Sequence, residues 1–177
     1  EGQTKEVQFS FDTNHGTDDY LKIIEGKTAS LIKTSAKLGA MASGCKQETI
    51  SSISKWAWHS GIIFQITDDI LDLSSDEKTL GKPSGNDIIE GTYTLPVLIA
   101  LEKYPEKINK ILSDISENKV GVNEVINEFN NDEIISESKL FLKTHLEKSE
   151  SAAKEIDNKT VRNILLDINT YLIERSN

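Results

Sequence analysis

Cysteine, proline and basic excess are all scarce in this chain of 177 residues, which has one Cys, three Pro and a formal net charge of −9. The single Cys45 excludes an internal disulfide framework, suits a reducing compartment, and beside Gly44 reads as a small packing residue with no assigned role. No Lys/Arg-rich stripe offsets the acidic balance, so no nucleic-acid partner is expected. No apolar run approaches the length of a membrane span, and Glu1-Gly2-Gln3-Thr4-Lys5-Glu6 is unlike a signal peptide. A soluble, cytoplasmic protein is the expectation. With few Pro and Gly and 37% hydrophobic residues, the chain is long enough for one globular domain with a sizeable core.

Strand-type alternation is missing as well, and apolar residues recur at helical spacing, so the fold class is all-α, a helical bundle. Tyr20, Ile23, Ile24, Lys27, Leu31, Thr34, Ser35 and Leu38 predict one long helix over 17–41, N-capped by Thr17 and ended by Gly44. A second helix is predicted from near Gln47 to about Leu73, which would let Lys27 and Asp68 face one pocket. Residues 74–92 read as an irregular stretch and a plausible lid, and 95–103 as a helix that tolerates Pro96 in its first turn. Amphipathic stretches follow at about 106–116, 121–129, 131–155 and 158–174. There are no internal repeats, and Tyr104-Pro105 is too short for a domain boundary.

Against that background one run stands out, Phe64-Gln65-Ile66-Thr67-Asp68-Asp69-Ile70-Leu71-Asp72, with three carboxylates on the last turns of an otherwise buried-looking helix. Spacing from Ile53, Ala57, Ser60, Gly61 and Phe64 carries the inward stripe through Asp68 to Leu71 and Asp72. Ionised carboxylates there need compensation by cations or donors, and at a helix C-terminus they also oppose the macrodipole. Oxygen-only ligands in such a cluster suit Mg²⁺, which takes one or two carboxylates, waters and substrate phosphates. A P-loop reading of Gly26-Lys27-Thr28 fails because Leu21 stands where its first Gly belongs, and a calcium-loop reading of 72–83 fails on the absent Gly and Glu.

The Asp-Asp-x-x-Asp pattern alone is a weak motif, but its flanks add specificity. Lys27-Thr28 precedes it by about forty residues, and Gly81-Lys82-Pro83-Ser84-Gly85-Asn86-Asp87 and then Thr94-Leu95-Pro96 follow it. In this order the motifs resemble the trans-isoprenyl diphosphate synthases, over residues 1 to about 103; the remainder fits that family's helical C-terminal region without a matching motif. The resemblance implies the class I isoprenoid synthase fold, Mg²⁺, and condensation of isopentenyl diphosphate with an allylic diphosphate by metal-assisted ionisation. It implies Asp68 as a direct metal ligand, with Asp69 and Asp72 acting directly or through metal-bound water. Lys27 and Lys82 would donate to the diphosphate, Thr28 and Gln65 would add hydrogen bonds and steady the allylic cation, Phe64 would border the substrate, and Asp87 would act from behind these groups.

Two departures from the family pattern qualify this. Thr92 stands where short-chain farnesyl synthases carry a second Lys, and the continuation Thr94-Leu95-Pro96-Val97-Leu98 leans toward hexaprenyl or heptaprenyl synthases. The first Asp-rich motif is absent, so the chain resembles about the C-terminal half of a synthase, expected to be inactive alone and to form a homodimer or pair with a missing N-terminal half. A class I terpene cyclase and a non-catalytic helical subunit are the rivals; Lys27-Thr28 and Gly81-Lys82 favour the synthase. Trp56 and Trp58 read as core or subunit contact, His15 and His145 as surface residues, and the Lys/Glu mixture from Lys139 to Glu155 as a solvated face.

Overall fold

The computed structural model describes residues 2–74 and 84–175. In order these form α1 (Gly2–Gln8), α2 (Thr17–Ile24), a π-helical turn (Glu25–Ala29), α3 (Ser30–Ala42), α4 (Gln47–Ser74), α5 (Asn86–Ile89), α6 (Leu95–Lys103), α7 (Pro105–Ser116), α8 (Val122–Val125) with a 3₁₀ turn (Ile126–Glu128), α9 (Asp132–Lys154) and α10 (Lys159–Glu174). No strand occurs among the described residues, and none of their helices is long and apolar enough to cross a membrane. Two helices begin as capping rules require: Asn131 accepts from Ile134 N, and Asn158 from Thr160 N and Val161 N. Gly44, at φ 70°, closes α3 while Cys45 N bonds Ala40 O and Gly44 N bonds Met41 O, the paired bonds of a glycine-terminated helix.

The long helix predicted over 17–41 is continuous but not uniform. Its N-cap is Gly16, with Thr17 already inside, and the wide turn at Glu25–Ala29 interrupts the regular pitch. A π turn holds one residue more than an α turn, so the buried row runs Tyr20, Ile24, Ala29, Ala40, instead of continuing to Leu31 and Leu38. Leu31 and Leu38 are consequently 67% and 59% exposed. The predicted stripe assumed an unbroken period, and the extra residue turned its second half outward.

Helix α4 is the axis, packed chiefly against α9 and α3 and also touching α10, the π turn, α6 and α2. Ile62, Ile63, Ile66, Ile70 and Leu73 enter the main core with residues of α6, α7 and α9, including Leu95, Ile99, Ile108 and Ile134. A second cluster sets Trp56 and Ala57 against Ala152, Ala153, Ile156 and Leu165, and Trp56 Nε1 donates to Leu165 O at 3.2 Å. Because neighbours wrap this helix on several sides, Asp68 does not lie on the inward stripe as predicted. The stripe of Phe64, Asp68, Leu71 and Asp72 is the open face, and Asp69 is the buried carboxylate, 3% exposed. The remaining predicted helices are found close to their expected limits, with α8 and its 3₁₀ turn replacing one helix over 121–129. Helices α1 and α5 add short elements that the periodicity did not announce.

Candidate functional site

The site is built around the π turn. On one side, a side chain at Gly2 of α1 would collide with the backbone of Lys27 and Gly26; on the other, a Cβ at Gly61 of α4 would stand 2.7 Å from Ala29 Cα. Two glycines thus let two helices close on the turn that carries Lys27 and Thr28. One turn beyond Gly2 on the same face of α1, Glu6 accepts from Lys27 Nζ at 2.6 Å.

From this turn a line of hydrogen bonds leads to the Asp motif. Thr28 Oγ1 donates to Gln65 Oε1 at 2.8 Å, Gln65 Nε2 donates to Asp69 Oδ1 at 2.9 Å, and Tyr20 Oη donates to Asp69 Oδ2 at 2.6 Å. Both Asp69 oxygens therefore have donors. Even so, burial pushes its carboxyl up to about 7, against the lowering effect of those two donors and with added repulsion from Asp87 and Asp68. Burial, with the Asp69 charge second, also holds the Tyr20 hydroxyl well above its ordinary range.

Adjacent helical residues project about 100° apart, so Asp68 leaves the interior where Asp69 enters it. Asp68 is 53% exposed, and its Oδ1 lies 3.5 Å from Nη2 of Arg175, the residue capping α10. The same guanidinium sits 5.6 Å from the centre of the Phe64 ring. Asp72, one turn beyond Asp68, uses its backbone carbonyl to accept from Gly85 N and Ser84 Oγ, which brings the segment before α5 against the end of α4. Asp87 on α5 is pushed up to about 6 by burial, then by Asp72 and Glu90, with Lys27 opposing and Asp68 adding a smaller push.

Hence Lys27, Thr28, Gln65, Asp69 and Asp87 come together, while Asp68, Asp72 and Phe64 lie on the neighbouring open stripe. A cavity of about 240 Å³ is bordered by Glu6, Lys27, Gln65, Asp69, Asp87 and Thr92, among others. Lys27 shares this cavity with Asp69, not with Asp68 as expected. Lys82 and Gly81 lie outside the described residues, as does the whole of 75–83 in the predicted lid, whereas its later part carries α5. Among the described residues no three His, Cys, Asp or Glu side chains already converge as a metal cage. The donor chemistry nevertheless suits a hard divalent cation: the candidate ligands are carboxylate oxygens, and Asp69 and Asp87 are raised first by burial and then by neighbouring carboxylates.

Sequence reading missed Tyr20, Glu6 and Arg175 as members of the site. Tyr20 looked like one more apolar residue of a stripe, and neither Glu6 nor Arg175 has a spacing signal, since their partners lie 21 and 107 positions away in the chain. Two histidines also differ from expectation. His15 is 7% exposed, stacked between Phe9 and Tyr93, and His145 is half-buried with its Nδ1 3.2 Å from His59 Nδ1.

Residues 1–132 match the family model described as polyprenyl synthetase. A heptaprenyl diphosphate synthase component 2 of Bacillus subtilis is 30% identical over 174 residues, which cover 98% of this chain and 50% of that protein. A prenyl transferase of Synechocystis is 42% identical over 105 residues, 59% of this chain and 32% of the relative. The heptaprenyl diphosphate synthase of Staphylococcus aureus superposes with a TM-score of 0.89 at 31% identity, over 99% of this chain and 56% of that one. A Caulobacter crescentus polyprenyl synthase solved with calcium and isoprenyl diphosphate shares the fold, with a TM-score of 0.87 at 23% identity over 99% of this chain and 54% of its own. The chain spans about half the length, or less, of the relatives it matches. The motif order, the helical architecture and a family model reaching from the first residue into the start of α9 lead to one conclusion: this chain belongs to the polyprenyl synthetase family.

Proposed function

We propose that this chain carries the half of a prenyl transfer site that grips the diphosphate of an allylic substrate, for condensation with isopentenyl diphosphate. The observation that supports this most is the line Thr28–Gln65–Asp69–Tyr20, which ties a lysine-bearing π turn to an aspartate motif at one cavity wall. Lys27 supplies a point charge to the diphosphate, and Lys82 is assigned the same task by its motif. Asp68 and Asp72, one turn apart on the open stripe, hold Mg²⁺, and Asp87 strengthens the negative field behind them. Asp69 faces inward and works from there, holding the Gln65 amide nitrogen while the Thr28 hydroxyl holds its oxygen, and Thr28 and Gln65 help steady the allylic cation. Phe64 borders the substrate on the open face. When bound, Mg²⁺ neutralises the charge that builds on the leaving diphosphate.

The names of the relatives and structural neighbours range from short-chain and geranylgeranyl to heptaprenyl and decaprenyl diphosphate synthases; Thr92 and the Thr94-Leu95-Pro96-Val97-Leu98 run incline this chain toward the medium- and long-chain group. A cytoplasmic setting, homodimerisation and pairing with a segment that supplies a first Asp-rich motif belong to the same proposal. The test is calorimetric titration with farnesyl diphosphate, with and without Mg²⁺, on the chain and on Asp68→Ala. Magnesium-dependent binding that the variant loses is the expected result. Binding indifferent to both metal and variant would overturn the reading.

A further inference from the structure

Two ligand-facing charges in this site, Asp68 and Lys27, are each met by an opposite charge from the chain itself. Arg175 stands 3.5 Å from Asp68, and Glu6 stands 2.6 Å from Lys27. Neither partner is a chance neighbour by local design. The guanidinium of Arg175 is backed by the face of Phe64, four residues before Asp68 and therefore on the same stripe of α4. Glu6 shares one face of α1 with Gly2, whose lack of a side chain allows that helix to reach the lysine-bearing turn. Glu6 is also the more enclosed member of its pair, with a side chain 16% exposed against 36% for Lys27.

We propose that Arg175 and Glu6 are displaceable internal counter-ions, Arg175 holding the place of a divalent cation at Asp68 and Glu6 holding the place of a phosphate oxygen at Lys27. This rests on the reading of Asp68 and Lys27 given above. The charges fix the sign of the effect. A divalent cation approaching Asp68 meets one positive charge that must move aside, and an anion approaching Lys27 meets one negative charge. Both pairs are partly solvated, so each competes weakly and yields to a multivalent ligand. The guanidinium partly offsets the charge of Asp68, which adds to the repulsion on Asp69 and Asp87, and Glu6 and Lys27 meet at the wall of the cavity that both border.

Two titrations test the proposal on the full chain, with helix content followed by circular dichroism. In the first, Mn²⁺ alone is titrated into the chain, Arg175→Gln, Arg175→Lys and Asp68→Ala. Arg175→Gln is expected to bind about two- to fivefold tighter, and Arg175→Lys to stay near the parent because it retains the charge. In the second, inorganic pyrophosphate alone is titrated into the chain, Glu6→Gln, Lys27→Ala and the double variant. Glu6→Gln is expected to bind tighter by a similar factor, and the gain is expected to vanish when Lys27 is absent. Unchanged or weaker binding in either neutralised variant overturns that counter-ion. Undiminished Mn²⁺ binding in Asp68→Ala would instead remove the ligand reading of Asp68, and with it the role given to Arg175.

Discussion

Tyr20 and Asp69, 49 residues apart in the chain, are joined inside the protein by a 2.6 Å hydrogen bond in which the phenol donates to a buried carboxylate. The bond secures the start of α2 to the last turns of α4, and Gln65 completes the carboxylate's shell. Replacing Tyr20 by Phe leaves Asp69 Oδ2 buried without its donor, so Tyr20→Phe is expected to cost about 1–3 kcal/mol in urea unfolding.

Asp69 also gives a pH dependence whose sign is fixed. Its folded-state value is raised to about 7, above the ordinary carboxylate value, so between about pH 4 and 7 the folded chain keeps a proton that the unfolded chain has lost. Stability contributed by this group therefore falls as pH rises through that window, by an amount on the order of a few kcal/mol without metal. Asp69→Asn is expected to flatten that part of the curve, measured as the urea midpoint at pH 5 and pH 8.

The His59–His145 pair acts in the opposite direction. Burial, then the neighbouring His59 and Lys148, lower His145 to about 4, so the unfolded chain binds the extra proton first as pH falls from about 6.5. Stability present at neutral pH is lost over that range as acid is added. His145→Gln is expected to show a smaller loss than the parent between pH 7 and pH 4.5, and an equal loss would reject the assignment.

Gly61 makes a purely steric prediction. A methyl group there would lie 2.7 Å from Ala29 Cα, a backbone atom that cannot step aside alone. Gly61→Ala is expected to cost about 1–3 kcal/mol and to part Thr28 from Gln65, lowering affinity for pyrophosphate as well as the thermal midpoint.

Thr67 offers the reverse case. Its hydroxyl is fully buried in α4 and has no hydrogen-bond partner among the described residues. Thr67→Val keeps the shape and removes the stranded polar group, so a gain of about 1 kcal/mol in unfolding free energy is expected.

The helical class and most helix limits could be read from the sequence because amphipathic period, Asn caps and the glycine at 44 are local signals. The motif residues were legible for a different reason, namely the order and spacing of the Lys-Thr, aspartate and Thr-Leu-Pro elements. Which aspartate faces inward was not legible. That depends on how many neighbours wrap α4, and periodicity gives the relative angles of Asp68 and Asp69 without saying which direction is inside. Tyr20, Glu6 and Arg175 stayed hidden because their partners are brought to them only by tertiary packing.

The extra residue in the Glu25–Ala29 turn acts as a phase shifter in a single rod. Before it, the rod spends its apolar face on the interior; after it, the same sequence rhythm faces out, and Leu31, Leu38 and Met41 come to lie on the surface. Removing one residue from that turn would restore an even pitch, swing these three side chains inward by about 100°, and carry Thr28 away from Gln65 at the same stroke. The chain's outer surface and its inner hydrogen-bond line are therefore set by one and the same insertion, so neither can be re-registered without the other.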